Sequence, residues 1–134
     1  MIFFKGYSLN FSVEPTRFDV DLENPKTYEL FIINNTGKVL RIEAEIEETK
    51  KSSLMKNISI FPKRISIKPG RRGVVRFTVR NLEALRRGKY DNLIVIKEVD
   101  YNQDNFINNE DDKRLSFELN FNTEIALHIL GEKK

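Results

Sequence analysis

The chain has no cysteine and no tryptophan, and a single histidine. Without cysteine there are no disulfides, no thiol nucleophile and no thiolate metal site. One histidine, His128, rules out a histidine-rich metal cluster, and no serine stands in a nucleophile-elbow context. Long apolar runs are missing too: none approaches the roughly 18 residues that a membrane-spanning helix needs. Residues 1–8 (MIFFKGYS) are too short, and too broken by Lys5 and Gly6, for a signal peptide. They read as a tail or the remnant of a leader. Charge of one sign is also scarce, since 23 Lys and Arg face 20 Asp and Glu, a net charge of +3. Basic residues thicken at Lys63, Arg64, Lys68, Arg71 and Arg72, and again at Arg86, Arg87 and Lys89. They are neither interleaved with exposed aromatics nor carried on a recognition helix, so no nucleic-acid partner is expected.

What is present is alternation. At 134 residues the chain is one domain with room for a core, and ten Phe with four Tyr supply bulk. Residues 9–22 read as a strand pair broken at Pro15, because proline lacks the amide donor of a central strand. Residues 27–34 form a strand, and Asn35-Thr36-Gly37 a turn of residues that tolerate positive φ. In the strand 39–47, Leu40, Ile42, Ala44 and Ile46 face one way, and Arg41, Glu43, Glu45 and Glu47 the other. Residues 49–57 are a polar, basic loop. Short strands at 58–61 and 64–67 flank Pro62, Pro69-Gly70 is a turn, and 73–80 is a strand with Val75, Phe77 and Val79 inward. Residues 82–87 predict one helical turn ended by Gly88. A nearly continuous apolar strand at 90–99 predicts burial on both faces.

The last strand is the longest and most regular. From 115 to 130 the odd positions are Leu115, Phe117, Leu119, Phe121, Thr123, Ile125, Leu127 and Ile129, against mostly polar even positions. The whole predicts an all-β, immunoglobulin-like sandwich of about seven strands. Its single domain covers 9–131, with short tails at 1–8 and 132–134. Tyr90, at the entry to the penultimate strand, is placed to return its hydroxyl to the preceding backbone.

Several short motifs occur in a telling order: Thr16-Arg17, Asn34-Asn35-Thr36-Gly37, Phe61-Pro62-Lys63-Arg64, Ile67-Lys68-Pro69-Gly70, Val75-Arg76-Phe77 and Gly88-Lys89-Tyr90. On these the chain resembles, over residues 9–130, the N-terminal immunoglobulin-like domain of the periplasmic pilus (fimbrial) chaperones. The resemblance implies a non-enzymatic protein-binding module without cofactor, acting in fimbrial biogenesis in the periplasm or cell envelope. It implies that the last strand adds to the incomplete sheet of a pilus subunit or similar partner, with Phe117, Leu119 and Phe121 at the inserting positions. Strand addition of this kind draws affinity from main-chain hydrogen bonds and specificity from alternate side chains. The alternative reading makes those three residues the domain's own core. The chain is then a structural interaction module of a surface or envelope protein, docking by a sheet face or as an edge-paired homodimer.

Two departures stand beside the resemblance. The family anchors a partner's terminal carboxylate with two cations. Arg17 fits the first place, but Ala126 stands where the family's lysine belongs, with Glu124 beside it. Losing one charge-assisted hydrogen bond of that kind costs about 1.5–3 kcal/mol. The chaperones also carry a second sandwich, so a shortened chain and a one-domain relative with another task both stay open.

Two further candidates come from the residues alone. Asp100, Asn102, Asp104 and Asp111 space oxygen donors as a calcium loop does, but Asn105 replaces the loop glycine and no helices flank it. The acidic row Glu43, Glu45 and Glu47 faces water and lacks the split environments that acid–base chemistry needs.

Overall fold

A computed structural model describes residues 10–99 and 123–134. Among them nine strands occur: β1 (Phe11–Glu14), β2 (Phe18–Val20), β3 (Lys26–Asn34), β4 (Leu40–Glu48), β5 (Ile58–Phe61), β6 (Arg64–Ile67), β7 (Arg72–Val79), β8 (Gly88–Glu98) and β9 (Glu124–Lys133). They form two sheets, ordered β1-β3-β7-β5 and β2-β9-β8-β4-β6. Every neighbouring pair is antiparallel except β2 with β9. The sandwich expected from the alternation is therefore present.

Two elements are split in two, which raises the strand number above seven. The chain leaves the first sheet after β1 and enters the second as β2, and Pro15 lies at that crossing. It repeats the manoeuvre between β5 and β6 across Pro62 and Lys63. A residue without an N–H suits a place where one ladder is abandoned for another. The limits of β5 and β6 follow the sequence pattern, but their membership of different sheets does not show in it.

Inward residues follow the period of two. Leu40, Ile42 and Ala44 of β4, Val75, Phe77 and Val79 of β7, and Leu127 and Ile129 of β9 are all buried. Phe18 meets Phe77 edge-on at 4.9 Å between centroids, and Tyr28 stacks on Phe77 at 5.2 Å. Such pairs add to the stabilisation of burial by about 0.5–1.5 kcal/mol. As its composition predicts, β8 is buried on both faces: Ile94 and Ile96 inside, Val95 and Asp91 outside. The Tyr90 hydroxyl donates to the Arg86 carbonyl at 2.8 Å, so the corner tyrosine does close its connection.

The helical turn differs from expectation. It is a 3₁₀ turn over Leu82–Ala84, closed by the Leu85 N–H on the Leu82 carbonyl. Gly88 does not end it; with φ of 137° it opens β8. The 49–57 loop also carries more structure than its polarity suggests, because Leu54 is fully buried within it.

Buried amides fix the connections. Asn92 Oδ1 accepts from the Leu54 N–H at 2.7 Å, and Nδ2 donates to the Glu47 carbonyl and the Ser53 hydroxyl, both at 3.1 Å. Asn34 does the same for the turn after β3: Nδ2 donates to the Lys38 and Ile67 carbonyls, and Oδ1 accepts from the Thr36 N–H. Asn57 donates to the Arg80 and Asn81 carbonyls, tying the loop before β5 to the exit of β7. A buried polar group left without its partner costs about 1–3 kcal/mol. Asn92→Ala orphans a buried N–H and a carbonyl together. It is expected to destabilise the domain by about 2–4 kcal/mol, read as a drop in the urea midpoint at unchanged m-value.

Candidate functional site: the last strand and its open side

β9 pairs with β8 along its whole length, from Glu124 opposite Lys97 to Lys133 opposite Gly88. Among the described residues its other side is only partly occupied. β2 pairs with it at Ile129, Leu130 and Gly131 and stops there. Among the described residues no strand lies beside 124–128 on that side. Ile125, Leu127 and Ile129 turn inward while Glu124, Ala126 and His128 are exposed, which continues the period read from 115 onward. Phe117, Leu119 and Phe121 lie outside the described residues, as do the calcium-loop candidates Asp100, Asn102, Asp104 and Asp111.

The far end of β9 is clamped. Lys133 Nζ donates to the Leu22 carbonyl at 3.2 Å and pairs with Glu23 at 3.5 Å. The Lys134 N–H donates to Glu23 Oε2 at 3.0 Å. At Gly131 the backbone runs so close to β2 that a Cβ would stand 2.9 Å from Leu22 and 3.0 Å from Val20. The strand is thus held firmly where β2 covers it and, among the described residues, has one neighbouring strand where β2 does not.

Arg17 precedes β2 by one residue and is exposed. Its guanidinium forks onto its own neighbour Asp19, with Nη2 at 3.1 Å from Oδ1 and Nε at 3.2 Å from Oδ2. Since Phe18 is in register with Ile129, Arg17 stands near the boundary between the covered and open halves of β9. Glu124 and Ala126 sit within the open half.

Sequence reading missed one contact. His128 is exposed as expected, but its Nδ1 lies 2.8 Å from Oδ1 of Asp91, a nearly buried carboxylate on β8. The signal was a charged residue inside the apolar run of β8, which demands a partner. The pair bridges the β8–β9 seam. Among the described residues no group of three or more His, Asp or Glu is arranged to hold a metal.

The clamp titrates. The Glu23 carboxyl is lowered chiefly by the Lys134 N–H, with the Lys133 charge assisting. Asp21 falls from 3.8 to about 2 because the Glu23 and Asn24 amides donate to it. Groups whose folded values are depressed stabilise the fold above their unfolded values, and that stabilisation disappears as pH falls through the folded ones. The melting temperature is accordingly expected to decline between pH 3.8 and about 2. A combined Asp21→Asn and Glu23→Gln variant, followed by circular dichroism, should show a flatter decline over that window.

Solved structures share this architecture. The chaperone DraB of E. coli matches with a TM-score of 0.65 at 10% identity, over 92% of this chain and 55% of that one. The structure of the Salmonella enterica SafA pilin in complex with the SafB chaperone gives 0.66 at 12%, over 97% of this chain and 57% of that one. WR4, a C. elegans MSP family member, gives 0.57 at 12%, over 94% of this chain and 99% of that one. The chain thus spans little more than half the length of the two chaperone-related chains and nearly all of WR4. No protein-family model matches the sequence, and no curated protein is significantly similar to it. The fold is the β-sandwich that periplasmic pilus chaperones contain.

Proposed function

We propose that this chain is a protein-binding module of the kind found in the N-terminal half of pilus chaperones, working in the periplasm or cell envelope. It lends its last strand to a partner whose own β-fold is incomplete. The observation that carries this reading is the one-sided half of β9, which leads back into the alternating run containing Phe117, Leu119 and Phe121. A similar structure that holds a pilin together with its chaperone supports a protein partner. Binding comes from backbone pairing plus the inserted side chains, each worth about 1.5–3 kcal/mol when removed from water. Arg17 is the one residue matching the family's carboxylate anchor. To serve, it exchanges Asp19 for the partner's terminus, and Ala126 leaves the second cation of that anchor unsupplied.

Leu119→Asp tests this. The variant should keep the unfolding midpoint of the parent while losing its ability to hold a pilus subunit, SafA being a suitable probe, soluble after dilution from denaturant. A loss of at least tenfold in affinity corresponds to about 1.4 kcal/mol. A variant that unfolds instead places Leu119 in the domain's own core and overturns the strand-donor role.

A second reading rests on a different observation. WR4 is matched across nearly its whole length, so this fold also stands as a domain without a second sandwich. On that reading the chain is a structural interaction module, self-associating through the same edge. Native mass spectrometry of the parent separates the two: a stable homodimer abolished by Leu119→Asp favours the structural module, a monomer the strand donor.

A further inference from the structure

The second sheet has another open side, remote from β9. β6 pairs with β4 only from Leu40 to Glu43. One further bond, from the Ala44 N–H to the Lys63 carbonyl at 2.8 Å, ends the coverage as the chain crosses to the other sheet. Among the described residues no strand flanks 45–48 on the side away from β8. Successive residues of a strand aim their N–H and C=O groups to alternate sides. Since the Ala44 N–H points outward, that of Ile46 does too, and no bond to it occurs there among the described residues.

Apolar surface lies beneath this backbone. A groove of about 490 Å³ runs between β4 and β5, lined by Ala44, Ile46, Met55, Ile58, Ile60 and Lys63. Within this lining Met55 is 37% exposed. An apolar groove of this kind, lying along an unpaired backbone, marks a docking site.

The charges select the occupant. On β4, Glu43 is paired with Arg64 and Glu45 with Lys97. Glu47, on the same face as these two, has no cation within ion-pairing distance among the described residues, though it also feels the charge of Lys97. A second copy laid antiparallel along this edge would set glutamate against glutamate, which opposes pairing. A strand carrying lysine or arginine between apolar residues would meet carboxylates on one face and the groove on the other. We infer that the open half of β4 is a second strand-docking edge, which takes an extended segment of a partner protein with apolar and basic residues in alternation. This inference is independent of the reading of β9.

The probe is a short, fluorescently labelled peptide of alternating lysine and valine, with a glutamate–valine peptide as its counterpart. Binding to the full chain is followed by anisotropy and by amide hydrogen exchange. The lysine peptide should bind, the glutamate peptide should not, and the Ile46 amide should gain protection while those of 124–128 do not. Two cross-strand ion pairs of about 0.2–1 kcal/mol each, on the face that Glu45 and Glu47 share, are turned into repulsions by Glu45→Lys with Glu47→Lys, so affinity should fall about tenfold or more. Met55→Asp, at an exposed side chain of the groove lining, should weaken binding while leaving the melting temperature unchanged. The inference is overturned by equal binding of both peptides, by protection on β9 instead of Ile46, by a charge-reversed variant that binds as the parent does, or by failure of the lysine peptide to bind.

Discussion

The seam between β8 and β9 is the interaction on which the rest of this structure depends. Its ten residue pairs make it the longest ladder among the described strands. β8 is also a central, largely buried strand, so its backbone must be paired on both sides. β9 supplies one side and β4 the other. The core then follows: Ile94 and Ile96 face the first sheet beside Leu127 and Ile129, and the alternation of each strand settles which side chains meet. At the end of the seam where β4 stops, Asn92 replaces a missing strand with a side-chain amide and carries the 49–57 loop back into the fold.

Much of this was legible in the sequence because a period of two is a strong local signal. β3, β4, β7 and β8 fall within a residue or two of their expected limits, as do β5 and β6. Tyr90 closes the corner that its position predicts. What was not legible depends on distant partners. No local pattern says that β5 and β6 belong to different sheets, since both read as short apolar strands around Pro62. Leu54 inside a polar loop and Asn92 inside an apolar strand acquire meaning only through each other. The 3₁₀ turn at Leu82–Ala84 is too short for helical periodicity to show where it ends.

The candidate site was legible in part. The exposed parity of Glu124, Ala126 and His128 is as the alternation predicts. The engagement of Arg17 by Asp19 and of His128 by Asp91 are pairings that spacing alone does not reveal. Arg17 illustrates the limit: standing just before β2, it forks onto Asp19 two residues on, so a cation read as an anchor already has an intramolecular anion. Both side chains are well exposed, so the pair is weakly held and easily exchanged for another carboxylate.

The geometry of the second sheet explains why, among the described residues, its long strands are covered only in part. Its outer strands are short, β2 with three residues and β6 with four, while β9 and β4 have ten and nine. Each short strand covers one half of its long neighbour, and the halves are opposite. β2 lies beside the end of β9 that faces the start of β8, and β6 beside the beginning of β4, which faces the end of β8. Among the described residues the uncovered stretches therefore lie toward opposite ends of the sheet, at 124–128 and 45–48. Both arise from the same cause: the chain spends β1 and β5 on the first sheet before crossing to become β2 and β6. Lengthening either crossing strand would close its edge only by shortening the first sheet. A sandwich that shares strands in this way trades a closed perimeter for two covered ends. Among the described residues it keeps the uncovered stretches apart, where neither can satisfy the other.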